Sequence, residues 1–431
     1  MGCSKNLVDS ERLIYKLSQK GYKTHHDPEI PGGEYVVINT CGFIGDAKEE
    51  SVNMIVGAIK LKELGEIGKI VVMGCLSERY IEELKRELPE VDYWYGKFDW
   101  NGLIDQLPGE SAVTHSTGAL ERTITTPPWS AYIKVSEGCN RFCSFCAIPL
   151  ITGRHKSRTM EEIIQEAEAL AASGVKELNI IAQDLSSYGT DLYGEQKLPE
   201  LIDRMAEIKG IEWIRLHYLY PADFPMGILE VMKKRKNVCN YIDLALQHIS
   251  DPVLKNMRRH IDSYNTKLLL GKIREEVPDI HIRTTIMVGF PGEGDDEFEE
   301  LLNFVEEEEF ERLGAFAYCE EENTYGAKNF KDVVPDEEKK ERLEAIMELQ
   351  EYISLEMNKK KIGKKLKVLI ERREGNLAVG RTEYDSPEVD QEVLVRGTDA
   401  QPGEFIMVEI VDAFPFELLA IPAVKICNLK I

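Results

Sequence analysis

Short apolar runs recur along this chain, separated by stretches in which apolar residues return every three or four positions. In the first hundred residues "EYVVINT" (34–40), "KIVVMG" (69–74) and "VDYWYG" (91–96) read as buried strands, because continuous apolar runs of that length suit a sheet covered on both faces. The segments "NLVDSERLIYKLSQKGY" (6–22), "AKEESVNMIVGAIKLKEL" (47–64) and "SERYIEELKREL" (77–88) are amphipathic at the helical period. Strands alternating with helices predict a parallel sheet wrapped by helices.

The alternation stops at "DQLPGESAVTHSTGALERTITTPPW" (105–129). This stretch carries turn formers without periodicity, and 105–128 reads as an interdomain linker. From 129 to 360 the pattern resumes with six candidate strands: 130–136, "KELNIIAQ" (176–183), "EWIRLHYL" (212–219), "NYIDLALQ" (240–247), "IHIRTTIMVG" (280–289) and "RLGAFAYC" (312–319). Between them lie helix-period segments such as "MEEIIQEAEALAASG", "FPMGILEVMKKR", "SYNTKLLLGKIREEV" and "DDEFEELLNFVEEEEF". Six strand and helix pairs predict a partial barrel of parallel strands with its site at the strands' carboxyl ends. A charged helix, "DEEKKERLEAIMELQEYISLEMNKKK", closes this unit. The tail, 361–431, is built of short β-type runs such as "KKLKVLIER", "NLAVGRTEY" and "EFIMVEIVDAF", split by Gly, Pro and Asp, and predicts a small antiparallel barrel. The fold class is α/β in three units: 1–104, 129–360 and 361–431. "EEEE" (306–309) and "KKRK" (233–236) read as solvated helix faces.

Composition narrows the kind of molecule. With 43% hydrophobic and 30% charged residues the chain has the make-up of a soluble globular protein, and no run of about twenty apolar residues is present to span a bilayer. "MGCSKNLVDS" lacks the apolar core of a secretory signal, and Asn6 stands where a myristoylation site prefers Ser or Thr. The expectation is a cytoplasmic protein without membrane association. Thiols stay reduced there, so nine cysteines argue for metal or catalysis ahead of disulfides. The net charge of −23 repels nucleic-acid phosphates and suits a basic partner, against the plainer reading that it keeps the protein soluble.

The densest chemistry lies in "EGCNRFCSFCAIP", where Cys139, Cys143 and Cys146 stand in the spacing C-x3-C-x2-C. Zinc needs a fourth ligand, for which His155 is available only across a loop, and a disulfide strands one thiol. An iron-sulfur cube can be held by three thiolates, leaving one iron open to a small molecule. A second trio, Cys3, Cys41 and Cys75, lies in "MGCSKN", "VVINTCG" and "KIVVMGC", each just before a helix. In a parallel sheet these positions converge at the strands' carboxyl ends, where helix N-termini are expected to lower thiol pKa values. The alternative is three unrelated buried cysteines.

The first triplet, with the aromatic Phe145 just before its last cysteine and a strand just before its first, resembles the radical S-adenosylmethionine superfamily. Together with the second trio and the β-barrel tail, which is TRAM-like, the whole chain resembles the methylthiotransferases. The resemblance implies two 4Fe-4S clusters: an auxiliary cluster on Cys3, Cys41 and Cys75, and a radical cluster on Cys139, Cys143 and Cys146. It also implies S-adenosylmethionine as cofactor, one molecule methylating the auxiliary sulfur and a second generating the radical that abstracts hydrogen. "GCSKNLVDSE", "NTCGFIGDAKEES", "GCLSERY" and "GCNRFCSFCAIPLITGRHKSR" are similar to the branch called RimO, which adds methylthio to an aspartate β-carbon of small-subunit ribosomal protein number twelve. Rival readings are the same transfer to a tRNA adenosine, and an iron-sulfur scaffold or redox protein without radical chemistry. Charge favours the protein substrate. From Glu371 onward twelve acidic residues face six basic ones, a net of −6, which suits a basic ribosomal protein, free or in the small subunit, and disfavours direct RNA binding by the tail.

The family carries a strand before its first cysteine, whereas here only Met1 and Gly2 precede Cys3. Either the start site is misassigned or a sheet strand is missing, and a missing strand would expose a sheet edge and loosen Cys3. Phe145 and Gln183 are the candidate cofactor-binding residues; Gln183 and Asp184 end a strand where barrel enzymes place ligand-binding groups. "VGFPGEG" (288–294) lies near the cofactor or is a structural turn. His217 and His248 read as structural histidines, and Cys239, Cys319 and Cys427 as ordinary core thiols.

Overall fold

The computed structural model describes residues 2–42, 45–108 and 120–423. Cys427 and positions 109–119 of the expected linker lie outside the described residues. The first unit runs α1 (Ser4–Gln19), β1 (Gly33–Thr40), α2 (Gly45–Glu63), β2 (Ile67–Gly74), α3 (Cys75–Glu87) and β3 (Tyr93–Trp94). Its strands form a parallel sheet in the order β1-β2-β3. Ile38, Ile55, Ile59, Ile70 and Val72 fill the layer between β1, β2 and α2. The register sets Thr40 beside Gly74, so the residues that follow, Cys41 and Cys75, leave the sheet at the same edge.

The second unit contains β4 (Ser130–Lys134), α4 (Met160–Ala172), β5 (Glu177–Ile181), α5 (Leu198–Met205), β6 (Trp213–Leu219), α6 (Gly227–Lys234), β7 (Val238–Gln247), α7 (Ser263–Glu276), β8 (His281–Val288), α8 (Asp295–Glu308), β9 (Arg312–Ala317) and α9 (Asp336–Lys359). The six strands lie side by side in chain order and all neighbours are parallel, the expected partial barrel. β4 and β5 are buried at every position, as strands covered on both faces are. α4 starts with a capping box in which the Thr159 hydroxyl accepts from the Glu162 N–H while Glu162 reaches back. α5 has only eight residues, fewer than the window in which a helical period shows.

The tail forms β10 (Lys365–Glu374), β11 (Leu377–Thr382), β12 (Glu392–Arg396), β13 (Phe405–Ala413) and β14 (Glu417–Pro422), closed in the order β10-β11-β12-β14-β13. It differs from the expected antiparallel barrel in one pair, since β12 and β14 run parallel. The tail covers the amino ends of the larger barrel's strands. Trp213 packs edge-on to Phe405 at 4.8 Å, and Cys239 lies among Trp213, Tyr241 and Leu369 as a core thiol. Glu177, wholly buried at the start of β5, accepts from the Arg381 guanidinium at 2.7 Å.

The described end of the linker is tied down: Arg122 pairs with Glu11 of α1 at 3.3 Å and with Glu166 of α4 at 2.8 Å. Part of the tail's acidity is also turned inward, because Asp385 pairs with Arg312 at 2.6 Å and Asp390 with Arg283 at 3.3 Å.

Candidate functional site

After β4 the chain makes a two-residue ribbon, Ser136–Glu137 against Lys156–Ser157, and enters the loop of the first triplet. Gly138 precedes Cys139 at φ +76°, and a Cβ there would lie 2.2 Å from the Arg154 carbonyl oxygen. Only glycine fits both the conformation and the space. The loop is then tied down along its length. The Cys139 N–H donates to the Gly153 carbonyl at 3.2 Å, Cys146 N–H to the Cys143 carbonyl at 3.0 Å, and Ser144 N–H to the Met257 carbonyl at 2.9 Å. Arg141 donates to Asp184 at 2.7 Å and Asp223 at 2.9 Å.

Cys139 and Cys143 are buried and Cys146 is half-buried. Burial, with the neighbouring Asp184 and Cys143, pushes the Cys139 thiol up to about 12; burial and then Cys143 push Cys146 up as well. Buried thiols such as Cys139 and Cys146 resist ionising together unless a cation joins them. Cations stand nearby: the Arg259 guanidinium donates to Cys143 Sγ at 3.2 Å and lies 4.1 Å from the Tyr220 ring, with Arg141 4.3 Å from the same ring. Soft thiols inside a basic shell are a donor set that fits an anionic iron-sulfur cube.

The second trio gathers at the carboxyl edge of the first sheet. A Cβ on Gly42 would lie 2.7 Å from the Leu76 nitrogen, so the turn after Cys41 packs flat against the first turn of α3, beside Cys75. Gly74 adopts φ +106° against the Thr40 backbone. A Cβ on Gly2 would lie 3.3 Å from Cys41 Cβ, which brings Cys3 to the same place. Asn6 and Asn39 stitch α1 to this edge by exchanging hydrogen bonds with each other's backbone at 3.2 and 3.1 Å. Cys3 is exposed, Cys75 half-buried and Cys41 buried. Cys75 departs from the expected depression of its pKa. Burial outweighs the helix terminus and pushes the thiol up to about 12, with Lys97 opposing and Cys3 and Cys41 adding to the rise.

Between the two trios lies a buried ionic cluster that sequence reading missed. Lys97 Nζ sits 2.7 Å from Glu137 Oε1 and 3.8 Å from Asp9, while Lys134 pairs with Asp9 and, at 2.6 Å, with Glu137. Burial alone would raise the Glu137 carboxyl, yet Lys134 and Lys97 hold it at about 2. Asp9, Lys134 and Glu137 of this cluster line a cavity of about 1370 Å³ that also touches α1, Phe98, Trp100, residues 120–122 and α4. Gln183 donates to Glu137, and its Oε1, like Asp184 Oδ1 and Gln247 Oε1, is buried without a hydrogen-bond partner.

The remaining candidates have structural surroundings. His155 contacts Ser157 at 3.0 Å and Asp191 at 3.6 Å, not a cysteine. His217 meets Asn179 at 3.3 Å, and burial, then Arg215, hold it well below the usual histidine range. His248 accepts from the Ser250 N–H at 3.0 Å. "VGFPGEG" is a turn fixed by Glu293, which accepts from Gly289 N–H at 2.8 Å and pairs with Arg342 at 2.9 Å. Its Phe290 packs edge-on to Phe145 at 6.3 Å. Cys319 is exposed, not a core thiol, and lies 3.8 Å from where a Cβ on Gly45 would be. Among the described residues no helix is long and apolar enough to cross a membrane.

Three family profiles match the chain. The radical SAM superfamily matches residues 133–305, an uncharacterized protein family, UPF0004, matches 1–96, and the TRAM domain matches 362–422. The chain is 56% identical, over 422 residues and 97% of both chains, to the ribosomal protein uS12 methylthiotransferase RimO of Phocaeicola vulgatus. It is 50% identical to the protein of that name from Christiangramia forsetii, over 98% of this chain and 93% of that one. Among solved structures, the radical S-adenosylmethionine methyltransferase TsrM from Kitasatospora setae is similar in fold. With cobalamin and a 4Fe-4S cluster bound, it gives a TM-score of 0.56 at 13% identity, covering 76% of this chain and 71% of that one.

Proposed function

The chain belongs to the RimO family of ribosomal protein uS12 methylthiotransferases, and we propose that it attaches a methylthio group to the β-carbon of one aspartate of uS12, using two 4Fe-4S clusters. The observation that carries this reading is the presence of two separate cysteine trios joined through one buried ionic cluster, from Cys75 past Lys97 and Glu137 to Cys139. Cys139, Cys143 and Cys146 hold the radical cluster; Cys3, Cys41 and Cys75 hold the auxiliary cluster. When bound, the clusters and S-adenosylmethionine supply the reductive cleavage, the hydrogen abstraction and the methylated sulfur.

The chain's own residues supply position and charge. Arg259 and Arg141 offset the negative charge of the radical site. Gln183, with an unpartnered Oε1, and Phe145, steadied by Phe290, are the residues for binding S-adenosylmethionine. Lys97, Lys134, Asp9 and Glu137 fix the first unit against the segment that leads into Cys139.

Anaerobic incubation of the reconstituted protein with S-adenosylmethionine, sulfide and a reductant, offering uS12 and tRNA together, tests the reading. Mass spectrometry is expected to find a methylthio increment on one uS12 aspartate and none on tRNA. An increment on tRNA alone would overturn the substrate, and the absence of deoxyadenosine would overturn the radical chemistry.

A further inference from the structure

Lys5 stands two residues after Cys3, in the first turn of α1, yet its side chain belongs to the barrel. Its Nζ lies 3.2 Å from the centre of the Tyr218 ring. Val8 of the same helix is fully buried against Tyr132 and Ile181, with Leu7 and Tyr218 beside them. These residues lie on or next to β4, β5 and β6, so the start of α1 covers the mouth between the auxiliary trio and the barrel interior.

Tyr218 is itself held in an unusual state. It has φ +62°, a conformation that costs a bulky residue free energy and persists only where its surroundings impose it. Asp243 imposes it by accepting the Tyr218 N–H at 3.1 Å, and Asp243 is in turn 3.6 Å from Arg283. The result is an aromatic face turned to an ammonium.

The other lysines of this region, Lys97 and Lys134, each contact two carboxylates. Lys5 also hydrogen-bonds the Tyr218 side chain and feels the Asp243 carboxylate, but among the described residues no carboxylate lies within ion-pair distance of it. A cation resting on a ring keeps donor capacity on its other side. A half-buried ammonium with that capacity, beside the site where sulfur is to be delivered, attracts an anion. We infer that Lys5 binds the carboxylate of the substrate aspartate and thereby presents the adjacent β-carbon to the reaction. This rests on the uS12 reading above and makes Lys5 the residue that distinguishes a carboxylate from its neutral amide.

The test compares the reconstituted wild-type protein with Lys5→Gln and Lys5→Arg, using purified uS12 and a uS12 version in which the target aspartate is asparagine. Anaerobic binding titrations are expected to show wild type preferring the aspartate form by roughly tenfold or more, the worth of one charge-assisted hydrogen bond. Lys5→Gln is expected to bind both forms alike, and Lys5→Arg to keep a preference. The inference is overturned if Lys5→Gln retains the wild-type preference. It is equally overturned if that variant weakens both forms by the same factor, which is what a structural role or a role toward the Cys3 cluster predicts. Failure of the wild type to methylthiolate the aspartate form would instead refute the uS12 reading.

Discussion

Lys97 Nζ and Glu137 Oε1 lie 2.7 Å apart, and this pair joins the first unit to the residues leading directly into Cys139. The Lys97 side chain is 3% exposed and that of Glu137 20%, so the ammonium is the deeply buried member of the pair. Removing one member leaves a buried charge with too few partners.

Lys97→Met is therefore expected to cost about 3 kcal/mol of stability, read as a lower urea midpoint. Lys97→Met combined with Glu137→Gln should lose less than the two single losses added, because the second change neutralises the charge that the first leaves behind. Additive losses would mean that the two side chains do not depend on each other.

The same pair marks the limit of what sequence makes visible. Strands such as 34–40 are legible because an apolar run is a local signal, and the glycines at 74 and 138 are legible because each stands directly before a cysteine that must leave a strand. "VDYWYG" forms only the two-residue strand Tyr93–Trp94, since Asp92 instead accepts the Ile70 N–H at 2.8 Å and pairs with Lys62. Lys97 and Glu137 are 40 residues apart, and Arg259 is 116 residues from Cys143. No local period encodes such contacts, so the cysteines of the candidate site stand out in the sequence and the charges around them do not.

Glu177 gives the docking of the tail a pH dependence. Burial would raise its carboxyl, but Arg381, and then Arg215 and Ser130, hold it at about 2, against an ordinary value of 4.5. A depressed carboxyl contributes stability that is fully present above the unfolded value and is lost as pH falls from 4.5 through about 2. The contribution is at most roughly 3 kcal/mol. Thermal unfolding of the cluster-free chain between about pH 6 and pH 3 should show a steep loss for wild type. Glu177→Gln should start lower and show a flatter slope; equal slopes would assign the acid loss to other carboxylates.

Removing cysteines tests the proposed two-cluster assignment by counting metal. Each cube holds four irons, so Cys143→Ala and Cys41→Ala should each bring the reconstituted protein from about eight irons to about four. Cys143→Ala is expected to abolish deoxyadenosine formation, whereas Cys41→Ala should retain it and lose methylthio transfer. Loss of deoxyadenosine in Cys41→Ala with retention in Cys143→Ala would reverse the assignment of the trios.

Arg259 sets the electronic surroundings of Cys143. Its guanidinium donates to Cys143 Sγ at 3.2 Å and to the Ala245 carbonyl, while the Tyr220 hydroxyl, 3.6 Å from the same sulfur, donates to the Arg259 carbonyl at 2.8 Å. With Cys143 holding the radical cluster as proposed, a permanent cation donating to it would favour the more negative, reduced state and raise the reduction potential. Arg259→Gln should therefore lower the midpoint, by about 60 mV if about 1.4 kcal/mol of differential stabilisation is lost in a one-electron couple. An EPR-monitored titration on the Cys41→Ala background isolates the radical cluster as the only signal. A midpoint unchanged by Arg259→Gln but with fewer irons per chain would make Arg259 a support for the loop rather than a tuner of the cluster.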